Sequence, residues 1–181
     1  MKVLWLLLLL AGCGGAQQQP ISDWERQNQE RLGLTVPDER PGIPPYPKKE
    51  NLVEISVSAT TDFKYFVDAS TLSVAPKERT VRYVLVARSP NGVDNVTFEA
   101  IRCPDQYRVL AVGQGDGKWG GRQSDWREIQ RGSGLSWQYA LARYYFCPHR
   151  DPIRSKDEGV YALERGSHPD VEVQRSMGGG K

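Results

Sequence analysis

Few residues in this chain have the type and spacing to do chemistry. Among 181 residues there are two histidines, His149 and His168, and three cysteines, Cys13, Cys103 and Cys147. There is no G-x-S-x-G elbow to present a nucleophilic serine and no H-E-x-x-H pair to hold a catalytic zinc. Carboxylate-only acid–base chemistry would need Asp68, Glu99, Asp116 and Asp125 to converge, and nothing in their spacing brings them together. Asp68 opens Asp68-Ala69-Ser70-Thr71 and is expected to bond backbone amides as an Asx turn rather than serve as a base or ligand. The run Gly113-Gln114-Gly115-Asp116-Gly117-Lys118 has the glycines of a phosphate loop. It lacks the Gly-Lys-Ser/Thr ending and the following helix, and it lacks the acidic spacing of a calcium loop. A turn is expected there, with Trp119 packed beside it; Asp116, Lys118 and Trp119 are its ligand-facing set. No catalytic residue, metal or cofactor is expected.

The amino terminus carries an address. Lys2 precedes an apolar run from Val3 to Ala11, far short of the roughly 20 residues of a spanning helix. It closes in Leu10-Ala11-Gly12-Cys13, which resembles the lipobox of bacterial lipoproteins. That resemblance implies cleavage before Cys13, acylation of Cys13, and anchoring to a membrane by acyl chains without crossing it. Gly14, in place of Asp, resembles an outer-membrane sorting signal. With Cys13 assigned to lipid in an oxidising compartment, Cys103 and Cys147 are expected to form a disulfide. The chain-entropy model gives such a loop about 4 kcal/mol. The rival is a metal site from Cys103, Cys147, His149 and His168, opposed by the exported location and the lack of a C-x-x-C pair.

Charge narrows the partners. Formal net charge is +2, and +1 once Lys2 is removed with the leader. Arg82, Arg88, Arg102 and Arg108 are interleaved with Glu78, Asp94 and Glu99, which reads as a mixed, solvated surface, so nucleic acid is not an expected partner.

The elements that must position these residues start with a hairpin. Val81–Arg88 and Val96–Ile101 are rich in β-branched and aromatic residues, and Ser89-Pro90-Asn91-Gly92 between them is a turn. Val96, Phe98 and Ala100 share one face; Thr97, Glu99 and Ile101 share the other. Leu52–Ser58, Phe63–Asp68 and Tyr107–Val112 read as further strands. Leu135–Phe146 changes to a helical period, with Leu135, Tyr139, Ala142 and Phe146 on one face, Ser133 or Ser136 as cap, and Pro148 as stop. Trp137, Tyr144 and Tyr145 are expected in the core. The organisation is then a leader over 1–12, a lipidated Cys and Gln/Pro-rich tether over 13–50 with a short helix around Asp23–Leu32, one globular domain over 51–154, and a polar, glycine-rich disordered tail over 155–181. The expected fold is α+β: an antiparallel sheet of about five or six strands with one C-terminal helix packed on it and tied by Cys103–Cys147.

Several motifs in order, D-W-E at Asp23, P-P-Y-P-K-K-E-N-L from Pro44, F-V-D-A-S-T-L-S-V from Phe66, V-R-Y-V-L-V-A-R-S-P-N-G from Val81, N-V-T-F-E-A-I-R-C from Asn95 and Y-F-C-P from Tyr145, resemble the cryptic neisserial protein-like family. The resemblance implies a small exported protein of a Gram-negative bacterium with a periplasm-facing domain, and it supplies no catalytic residues. The turn at Asp68, the strands, the cysteine at a strand end and the helix tied by a second cysteine are also similar in architecture to surface-adhesin protein E-like domains. The leading expectation is a non-enzymatic outer-membrane lipoprotein that binds an envelope protein or peptidoglycan, or has a structural role there. The alternatives are an adhesin-like binder on the cell surface and a hydrolase of envelope polymers that uses carboxylates.

Overall fold

The computed structural model describes residues 42–57, 61–121, 123–130 and 136–171. The leader, Cys13, the expected helix around Asp23–Leu32, Leu135 and residues 172–181 lie outside them.

Seven strands form one antiparallel sheet: β1 Leu52–Ile55, β2 Lys64–Ala75, β3 Thr80–Arg88, β4 Asp94–Arg102, β5 Gln106–Gly113, β6 Trp119–Gly120 and β7 Arg127–Glu128. The spatial order is β1-β2-β3-β4-β5-β6, with β7 also paired to β5. The hairpin read from the sequence is its centre, paired without a break from Thr80↔Arg102 to Arg88↔Asp94. Gly92 donates to the Ser89 carbonyl at 2.9 Å with φ at 80°, a conformation open to glycine without side-chain cost.

Alternation along β3 and β4 gives the sheet two buried faces. Val81, Tyr83, Leu85 and Ile101 lie on the first, with Val67 and Leu72 of β2. Val84, Val86, Val96, Phe98 and Ala100 lie on the second. Burial on both sides is why β3 reads as a nearly continuous apolar run.

Helical segments cover the first face. Ser136 caps α1, Trp137–Ala140, its hydroxyl accepting from the Tyr139 amide at 3.3 Å. The chain continues as a π-helical turn, Leu141–Phe146, in which the Cys147 amide donates to Ala142 five residues back at 3.1 Å. The expected single α-helix is therefore a short α-turn that widens, and the sheet dominates the fold.

Two further boundaries differ from expectation. Residues 155–171 are not tail: Ser155 caps α2, Lys156–Arg165, and Gly166 ends it in the left-handed region. Ala162, Leu163 and Val171 are buried, so this segment joins the core. Gly159 of α2 lies so close to β2 that a β-carbon there would run into Leu72 and Ile153. On the amino-terminal side, Tyr46 packs on the second face, so the folded unit starts before Asn51.

Candidate functional site

The disulfide between Cys103 and Cys147, with Cα atoms 5.7 Å apart, joins the end of β4 to the end of the π turn. Beside it opens a cleft of about 620 Å³. Pro104 and Asp105 enter from the β4–β5 turn, Ile129 from beyond β7, Tyr139, Ala142 and Arg143 from the α1–π segment, and Cys147, His149 and Arg150 from the chain that follows.

The backbone here is unusual. Among the described residues, three that are not glycine have positive φ: Arg79 at 55°, His149 at 53° and Arg150 at 71°. All three belong to this corner. The Arg79 guanidinium donates to Asp151 Oδ1 at 2.6 Å and to the Arg150 carbonyl at 2.8 Å, while the Arg79 carbonyl accepts from the Cys103 amide at 2.8 Å. One side chain thus clamps the left-handed pair to the end of β4. Such conformations cost of order 1–3 kcal/mol each and persist where surrounding structure enforces them, commonly at functional sites. A π turn carries the same association. His149 Nε2 lies 3.3 Å from Asp170 Oδ2.

The structure does not bring the candidate carboxylates together. Asp68 shares the second face with Val84 and Phe98, its cross-strand neighbours, whereas Glu99 shares the first with Tyr83. Asp68 accepts from the Ser70 amide at 2.9 Å and the Ser70 hydroxyl at 2.6 Å, the Asx turn expected of it. Glu99 is fully buried and accepts from Thr97 at 2.8 Å, Tyr83 at 3.0 Å, Trp137 Nε1 at 3.1 Å and Gln138 at 3.2 Å. Burial pushes its carboxyl above the ordinary range, against the pull of those four donors. Burial and Glu99 together push the Tyr83 phenol well up. Asp125 is exposed, between β6 and β7.

The expected ligand-facing loop lies away from the cleft. Asp116 pairs with Lys118 at 3.1 Å at the exposed tip of the β5–β6 hairpin. Trp119 turns onto the second face, 5.2 Å from the Tyr46 ring centroid, and donates to the Pro44 carbonyl at 2.8 Å. His168, expected in the tail, is buried with Nε2 3.0 Å from Glu158, and the two cysteines are spent on each other, so the four-residue metal set does not assemble.

The arginines also differ from the mixed, solvated surface expected. Arg82, Arg102 and Arg108 come from three adjacent strands on the second face; Arg108 is only 7% exposed and the Arg82 side chain 11%. The Trp126 ring lies under two of them, 4.0 Å from the Arg102 guanidinium and 4.5 Å from that of Arg108.

Sequence reasoning left out Arg79, Tyr139 as a cleft residue, Arg143 and Arg150. No local pattern marks them, because they come from segments far apart in the chain. Helix α2 did have a signal, Ser155-x-x-Glu158 before an apolar stretch and Gly166 after it.

The model of the CNP1-like family matches residues 37–164. The chain belongs to the CNP1-like family. The match spans all seven strands, both cysteines and the cleft-lining residues of this CNP1-like chain. No curated protein and no solved structure matches it.

Proposed function

We propose that this protein is an outer-membrane lipoprotein of a Gram-negative bacterium whose domain is a non-enzymatic binding module, and that the cleft beside Cys103–Cys147 is its recognition surface. The observation that carries the reading is that two left-handed non-glycine residues, His149 and Arg150, line one cleft, and a third, Arg79, holds the Arg150 carbonyl from behind. Arg79 also closes the 3-10 turn before β3, while the strained His149–Arg150 pair suits a preorganised binding surface. The lipobox ending in Cys13 supports the anchor, and a disulfide suits an oxidising compartment. The ligand is an envelope component, a protein or peptidoglycan.

In-cell photo-cross-linking tests this. A photoreactive phenylalanine analogue at Tyr139 in the cleft is compared with the same probe at Asn91 in the β3–β4 turn and at Lys118 in the β5–β6 turn. One dominant captured species from Tyr139 alone is expected. Capture of nothing from Tyr139, or of the same material from all three positions, would overturn the reading.

A further inference from the structure

Several arginines of the domain are occupied: Arg79 with Asp151, Arg82 with Glu78, Arg88 with Asp94. Those of the cleft are not. Arg143 and Arg150 line it, both are exposed, and among the described residues neither guanidinium has a hydrogen-bond or ion-pair partner. Among the described lining residues Asp105 is the one carboxylate, against the guanidinium groups of Arg143 and Arg150. A guanidinium presents a fixed fork of donors that matches the two oxygens of a carboxylate or phosphate. A volume of about 620 Å³ falls within the range of small-ligand sites, with Tyr139 and Ala142 supplying apolar wall.

We propose that the cleft is an oxyanion site: Arg143 and Arg150 bind a carboxylate or phosphate group of the ligand. The two guanidinium groups come from different elements, one from the π turn and one from the left-handed segment clamped by Arg79. The π turn ends at Cys147 and the left-handed segment follows it, so the disulfide anchors the junction between them. Carboxylate and phosphate share this chemistry, and the test separates them. This inference rests on the cleft being the recognition surface.

The test is a ¹H–¹⁵N NMR titration of the full chain with sodium phosphate and, separately, with sodium succinate, each at ionic strength held constant with chloride. Saturable shifts at Tyr139, Arg143, His149 and Arg150 are expected with at least one anion, and the tighter of the two identifies the group. Arg143→Gln and Arg150→Gln should each weaken that binding at least fivefold, and the double variant should abolish it, while Lys118→Gln leaves it unchanged. Both arginines are exposed, so unchanged shifts at core residues such as Leu85 will show that the variants fold. Lack of saturable shifts with either anion, or shifts that persist in the double variant, would overturn the proposal. If Tyr139 still captures a single species while neither anion binds, the oxyanion site fails and the binding-module reading stands; if capture also fails, both fall.

Discussion

The two faces of the sheet bury charge in different ways, the second holding Asp68 within its own Asx turn as well as arginines. On the first face a single carboxylate, Glu99, is sealed among neutral donors; two of them, Trp137 and Gln138, come from the helical segment 38 and 39 residues away. On the second face the guanidinium groups of Arg102 and Arg108 lie over the Trp126 ring, and Arg82 pairs with Glu78. A sealed carboxylate must have its acceptors filled at fixed positions, so Glu99 dictates where the helix sits. Arginine stems instead cover apolar surface while their planar heads stack, a looser geometric demand. The face with the stricter rule is also the one tied by the disulfide and bordered by the cleft.

Breaking the covalent tie should cost most. The double variant Cys103→Ser, Cys147→Ser should lose about 4 kcal/mol, read as a lower urea midpoint, with reductant lowering the parent to match. An unchanged midpoint would show that packing alone holds the first face. Next comes the sealed carboxylate. Glu99→Leu strands the Trp137 and Gln138 donors and should cost about 3 kcal/mol, whereas Glu99→Gln keeps an acceptor and should cost less than about 1 kcal/mol. Because the folded-state pKa of Glu99 is raised, its favourable contribution is present in full below the ordinary carboxylate pKa and is lost as pH rises through the raised value. The stability of the parent relative to Glu99→Gln should therefore fall with rising pH; a flat difference would mean that the four donors offset burial completely. Smallest is the second face: Trp126→Leu removes both guanidinium–ring contacts and should cost about 1 kcal/mol. If Trp126→Leu cost more than Glu99→Leu, the contrast between the faces would be reversed.

Much of the sheet was readable in advance. The β3–β4 hairpin follows from two runs rich in β-branched and aromatic residues about a Pro-Asn-Gly turn, and the Asp68 turn from a short polar side chain beside its own amides, all features within a few residues. The Ser136 cap is local in the same way. Widening of α1 into a π turn was not readable, since Leu135–Phe146 carries an acceptable α-helical period and the register is set by what lies against it. Nor was the separation of Asp68 and Glu99 onto opposite faces used, although the two strand registers, once known, require it.

By itself the sequence determined five of the seven strands, the central turn and the expectation that Cys103 pairs with Cys147, because these depend on neighbouring residues or on counting, whereas β6 and β7 were not read. Only the tertiary structure decided which arginines are buried, that His168 belongs to the core, and that Arg79, Tyr139, Arg143, His149 and Arg150 share one corner. Those residues are spread over positions 79 to 150, and their approach depends on sheet order, helix docking and disulfide closure, none of which leaves a mark in any short stretch of chain.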